Sequence, residues 1–128
     1  MNENTTKISH AELEIMKILW QADEPVSTND IYKELSEKMS WDRSTVRTLL
    51  KRLSEKDAVT VKNLKVISYL PLIQEKEYRD SQTKSFIERL YGGSAKRLVS
   101  SLVENYNLTP ADIDELRSLL EQGGDKIE

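Results

Sequence analysis

The hydrophobic period of this sequence changes once in its first half, near position 57, and that change limits the fold more than any other feature. In WDRSTVRTLLKRLSEK, residues 41–56, the apolar side chains Val46, Leu49, Leu50 and Leu53 recur at i, i+3, i+4 and i+7. That spacing lines one face of an α-helix over 43–56. The next stretch, AVTVKNLKVISYLPL (58–72), alternates and is rich in Val, Ile and Tyr, with Lys62-Asn63-Leu64-Lys65 in its middle. It reads as a β-hairpin with a short, lysine-bearing turn. Asp57 lies at the junction, and Asp tolerates a left-handed helix end better than most residues.

Upstream, helices open with a repeated pattern of cap and apolar staple. Ser9 is placed to cap, with Glu12 completing a capping box and Ile8 stapled to Leu13. Ser27 repeats this with Asp30, and Val26 staples to Ile31. Thr109 does so again with Pro110 at the first helical position, Asp112 as the acid, and Leu108 stapled to Ile113. Asp42 is the fourth cap, with Trp41 stapled to Val46, but the third helical position holds Thr45 rather than an acid. A carboxylate there would favour the helix dipole and would also repel an approaching phosphate. The bland alternative is that Thr is simply tolerated.

These starts predict a helix over 10–22 burying Leu13, Met16 and Trp20 with Ile15 and Leu19 alongside. A second helix over 28–39 carries Ile31, Leu35 and Met39 on one stripe. Three helices followed by a hairpin make a winged helix-turn-helix. The expected fold class is therefore mainly α with a small β-hairpin, divided into a winged-helix domain over 1–72 and a three-helix domain over 73–128. The second domain's helices are expected at 75–91, stopped by Gly92-Gly93, at 94–106, and at 110–122, ended by Gly123-Gly124. Its apolar residues Phe86, Leu90, Tyr91, Leu98, Val99, Leu102, Val103, Ile113, Leu116, Leu119 and Leu120 need a partner surface. So short a helical segment cannot bury them alone, and a homodimer with three helices from each chain is the economical answer.

Composition excludes several classes of function. With no cysteine among its 128 residues the chain has no disulfide, thiolate nucleophile or Cys-based metal site. The one histidine, His10, falls at a helix start, where a solvated residue is the simpler reading. Four glycines form no phosphate-cradling loop. No constellation supports catalysis, and no cofactor is implied. No apolar run approaches the roughly 20 residues that span a bilayer, and MNENTTKISH lacks the hydrophobic core of a signal peptide, so the expected location is the cytoplasm.

Charge carries the functional signal. The chain is acidic overall, net −3, yet Arg43 to Lys65 holds seven basic residues (Arg43, Arg47, Lys51, Arg52, Lys56, Lys62, Lys65) against Glu55 and Asp57. A locally basic segment on an acidic chain is what a nucleic-acid footprint requires. The major groove admits one α-helix. On the polar face of the 43–56 helix, Arg47 can reach a guanine edge bidentately, and Thr45 and Thr48 can meet a thymine methyl or a polar partner. Ser44 is small enough to let the helix approach. Arg43, Lys51 and Arg52 suit phosphates, as do Lys62 and Lys65 on the hairpin. The alternative is a helix that merely has a solvated basic face. A symmetric dimer of such domains should read an inverted repeat with half-sites about one helical turn apart.

Three stretches, ISHAELEIMKILW, WDRSTVRTLLKRL and FIERLYGGSAKRLVSSLVE, together resemble the BlaI/MecI/CopY family of bacterial penicillinase and copper-export repressors, from Ile8 to about Leu120. The resemblance implies a homodimeric winged-helix repressor on palindromic operators with TACA/TGTA-type half-sites, with Thr45-Val46-Arg47-Thr48 in the groove. Leu13 stands where many members have Trp, Arg43-Ser44 replaces a common Pro-Lys, and the hairpin is one residue shorter. The paired Cys-x-Cys motifs of copper sensors are missing, which excludes that mode of metal sensing. The β-lactam-responsive members are cleaved at an Asn-Phe bond by a membrane sensor peptidase; Ser101-Leu102 occupies that position here. Two other readings stay open: a cysteine-free relative repressing other stress genes, and a winged-helix module whose basic face meets an acidic protein.

Overall fold

A computed structural model describes residues 7–126; residues 1–6, which form part of the stretch read above for a signal peptide, and 127–128 lie outside it. The elements run α1 (His10–Gln21), β1 (Val26–Ser27), α2 (Thr28–Met39), α3 (Arg43–Glu55), β2 (Val59–Asn63), β3 (Ile67–Pro71), α4 (Glu75–Tyr91), α5 (Ala95–Asn105) and α6 (Pro110–Lys126). The chain divides into two compact units, Met1–Thr83 and Lys84–Glu128. The first part of α4 thus belongs with the N-terminal helices and sheet. There the Trp20 and Tyr78 rings lie 5.9 Å apart, and the Trp20 indole donates to the Ile73 carbonyl at 2.8 Å.

In the N-terminal unit three helices enclose one core: Ile15, Met16, Ile18 and Leu19 from α1, Ile31 and Leu35 from α2, Val46, Leu49, Leu50 and Leu53 from α3. Ala58 and Val59 close it at the start of the sheet. The sheet has three strands in the order β1-β3-β2, all antiparallel, with Val26 opposite Tyr69 and Val61 opposite Tyr69 on the other side. The two-residue β1 was not expected, since so short a strand carries no alternation to read. The hairpin turn is also displaced: Lys62 and Asn63 pair with Ser68 and Ile67, leaving Leu64 to Val66 as the turn.

Two core expectations are corrected. On α1 the fully buried stripe is Ile15, Met16 and Leu19, while Leu13 and Trp20 are only half-buried, because α2 and α3 pack against the face one position round. On α2 Met39 is 41% exposed, since the helix ends there and Ser40 turns left-handed at φ 60°.

The helix ends follow local chemistry. Ser9 and Glu12 form the full reciprocal box, and Thr109 and Asp112 do likewise; Ser27 and Asp42 each accept from the backbone three residues on. A fifth cap, Ser94, accepts from Arg97 at the start of α5. At the end of α3, Asp57 takes φ 60° and donates to Ser54, while Ala58 donates to Leu53 at 2.9 Å. These bonds make a Schellman motif whose apolar contact pairs Ala58 with Leu53, both fully buried. Gly92 and Gly93 have positive φ and end α4, but α6 continues through Gly123 to Lys126. A glycine there lowers helix stability by about 1 kcal/mol without forcing a turn, so the stop expected at Gly123 does not occur.

Glu12 does more than cap. Its side chain is 2% exposed, and Oε1 accepts from Lys56 Nζ at 2.5 Å and from the Ser9 backbone at 2.9 Å. Burial pushes its carboxyl up, but the Lys56 ammonium and the Ser9 donors outweigh that and hold it below the usual carboxylate range. A lowered folded value means stability that is complete above the unfolded value and is lost as pH falls through the folded one. Lys56→Met should cost about 2–3 kcal/mol at pH 7 by leaving a buried carboxylate without its cation. Urea unfolding at pH 7 and pH 4 checks it: the wild-type protein should lose stability toward the lower pH, and the variant should lose less or gain.

Candidate nucleic-acid interface

The four aliphatic residues of α3 fix which way its cations point. Val46, Leu49, Leu50 and Leu53 are no more than 5% exposed. At about 100° per residue the opposite face must then turn to solvent. Arg43, Ser44, Arg47, Thr48, Lys51 and Arg52 are exposed there, and Thr45 is half-buried. Lys62 on β2 and Lys65 in the hairpin turn are exposed as well. All nine residues expected at the interface therefore lie on the surface of one unit, seven on α3 and two on the wing.

The first turn of α3 is held by Asp42. Its Oδ1 accepts the Thr45 backbone N–H at 2.8 Å and the Ser44 hydroxyl at 3.3 Å. Those bonds, the Thr45 backbone first, hold its carboxyl below the usual range. The acid beside the basic face thus has its charge engaged by the helix end. Arg43 is engaged too. Its Nη2 donates to Asn29 Oδ1 at 3.0 Å, and the guanidinium lies 4.2 Å from the centre of the Tyr32 ring.

Lys56, counted among the seven cations of the segment, does not join this face. Its Nζ is taken up by Glu12 and by the Lys7 carbonyl at 2.6 Å, where it ties α1 to the end of α3. Sequence reasoning missed Asn29 and Tyr32, which stand at i and i+3 on α2 with no motif linking them to position 43. It also missed the apolar character of the wing: Val61, Leu64, Val66 and Ile67 are 41–61% exposed around the two lysines.

The second unit contributes no charge pattern of this kind. Neither α4 nor α5 contains a buried residue. Phe86, Leu90, Leu102, Val103, Ile113, Leu119 and Leu120 are exposed, and Tyr91, Leu98, Val99 and Leu116 half-buried. Tyr106, 65% exposed, extends that apolar surface. Ser101 and Leu102 lie within α5, where the Ser101 carbonyl also accepts the Asn105 side chain at 2.9 Å. Among the described residues no group of His, Asp or Glu could hold a metal ion, and no helix is long and apolar enough to cross a membrane.

Three helices, the last with a cationic outer face, and a small antiparallel sheet define a winged-helix protein. Residues 8–122 match the penicillinase repressor family, and the chain belongs to it. It is 38% identical over 117 residues to the penicillinase repressor of Bacillus licheniformis, covering 91% of each chain. It is 35% identical over 121 residues to the methicillin resistance regulatory protein MecI of Mammaliicoccus sciuri, covering 94% of this chain and 98% of that one. The solution structure of the DNA-binding domain of the repressor BlaI superposes with a TM-score of 0.52 and 39% identity, over 61% of this chain and 94% of that one. The monomeric form of Bacillus licheniformis BlaI in complex with the blaP half-operator superposes at 0.50 with 40% identity, over 56% and 88%.

The missing acid at the third position of α3 gives a stability test. Thr45→Glu would complete a box with Asp42 and favour the helix dipole, so urea unfolding should show a gain of a few tenths to about 1 kcal/mol.

Proposed function

We propose that this chain is a homodimeric transcriptional repressor that lays α3 in the major groove of each half of an inverted-repeat operator. The observation that carries this reading is the division of α3: four side chains locked in the core and six polar or cationic ones facing solvent. Membership of a family of DNA-binding repressors, and the likeness to a BlaI domain solved on a half-operator, support it. In this reading Arg47 takes a guanine edge, Ser44, Thr45 and Thr48 line the groove, and Arg43, Lys51, Arg52, Lys62 and Lys65 hold phosphates. The half-sites are of TACA/TGTA type, by the resemblance in Thr45-Val46-Arg47-Thr48. The protein acts in the cytoplasm and catalyses nothing.

The second unit supports the dimer. Helices whose large apolar side chains stay exposed in one chain are stabilised when a second copy covers them. Two-fold symmetry then repeats the recognition helix, and an inverted repeat is the DNA that matches it. Release from DNA proceeds by cutting α5 at Ser101-Leu102, through a membrane sensor peptidase that responds to β-lactams. Loss of that helix would separate the two copies and with them the paired grip.

Titration of labelled duplexes tests the core of the reading. Wild-type protein should bind a TACA/TGTA inverted repeat well above a single half-site or a random duplex, with log affinity falling by about 0.9 per log unit of salt for each phosphate neutralised. Arg47→Ala should cost about 1–3 kcal/mol on the repeat and narrow its margin over random duplex. Equal affinity of wild type and variant for the repeat would remove Arg47 from the interface. For induction, immunoblots after β-lactam exposure should show a fragment ending near Ser101 as target genes switch on. Derepression with only full-length chain would rule the cleavage out.

A further inference from the structure

We infer that Asn29 and Arg43 together form a composite site for one backbone phosphate of the bound duplex, with the Tyr32 ring as its platform; this rests on the DNA-binding reading above. It adds two residues of α2 to an interface otherwise drawn from α3 and the wing.

The donors are arranged for an anion with more than one oxygen. Arginine only donates, so the 3.0 Å contact from Arg43 Nη2 fixes the Asn29 amide with Oδ1 inward. The Asn29 Nδ2 group, with two N–H donors, is then turned away from Arg43 and has no partner among the described residues. Both side chains are exposed. Arg43 keeps further N–H donors while its Cζ lies over the Tyr32 ring, 4.2 Å from the centre. A charged donor and a neutral one are thus tied to each other and open to solvent, a pairing that matches two oxygens of a phosphodiester.

The backbone around them favours the same occupant. Arg43 is the first residue of α3 and Asn29 the second of α2, so each side chain leaves the positive end of a helix dipole. Two acids stand nearby. Asp42 is committed to the Thr45 N–H and the Ser44 hydroxyl. Asp30, one position past Asn29, is turned about 100° around the helix axis. Stacking on Tyr32 and bonding to Asn29 order the Arg43 side chain before DNA arrives, so little rotamer freedom is left to lose on binding. Asn29 and Arg43 touch the phosphate; Tyr32 is a positioning residue.

A phosphate site carries no base information, and that sets the test. Full-length wild type and variants are titrated by fluorescence anisotropy against a TACA/TGTA inverted repeat and a random duplex of equal length, across a salt series, with thermal melts confirming the fold. Arg43→Ala should weaken both duplexes about 5–20-fold and lower the salt slope by about 0.9 per chain. Asn29→Ala should weaken both about 3–10-fold with the ratio between them unchanged, and should cost less when added to Arg43→Ala than alone. Tyr32→Leu should weaken both about 3-fold with the slope kept, because the charge remains. Arg43→Lys should keep the slope and lose affinity, since a point charge cannot hold the planar pairing. Wild-type affinity in either Asn29→Ala or Arg43→Ala, or a loss confined to the specific repeat, would overturn the site. Wild type that binds neither duplex would overturn the DNA-binding reading itself, and this site with it.

Discussion

The burial of Val46, Leu49, Leu50 and Leu53 against α1 and α2 governs the rest of the molecule. A helix has one axis and a fixed advance per residue, so fixing those four positions also fixes where Arg47, Thr48, Lys51 and Arg52 point. The hydrophobic effect supplies the energy, at about 25 cal/mol per Å² of apolar surface removed from water, and the cations are carried along at little electrostatic cost because they stay solvated. The same core fixes the wing, since Ala58 and Val59, three and four positions past the end of α3, are its last members. Charge therefore needs no scaffold of its own here. It is placed by grease on the far side of the same helix.

Polar groups then refine what the core positions. The ion pair between Glu12 and Lys56 joins the start of α1 to the end of α3, so one cation of the basic segment serves the fold rather than the surface. Arg43 is intermediate: exposed, yet bonded to Asn29 and stacked near Tyr32. Asp42 shows how an acid can sit beside a basic face. Its oxygen is spent on a backbone N–H and a hydroxyl of its own helix turn.

Much of this was legible in the residues because the signals are local. Cap and box at Ser9 and Thr109, the left-handed Asp57, the 3.6 period of α3 and the alternation after it each depend on neighbours within a few positions. What escaped depends on distance along the chain. Glu12 and Lys56 are 44 positions apart and Arg43 and Asn29 14 apart, and no short pattern announces either pair. The two-residue β1 exists only because β3 offers it an edge. The half-burial of Leu13 and Trp20 likewise depends on which side of α1 the other helices approach. At Gly123 the reverse holds: glycine permits a turn without making one, and α6 runs on through it.

The carbonyl of Ala58 accepts the N–H of Leu72 at 2.8 Å and that of Ile73 at 3.4 Å, so the hairpin leaves α3 and returns to it at one residue. The stretch between is closed at its neck and held along one side by β1. The tip around Leu64 to Val66 lies beyond the last paired residues, Asn63 and Ile67, and away from the Ala58 latch. Under the proposed function, the length of that tip sets how the wing holds flanking DNA separately from what α3 reads.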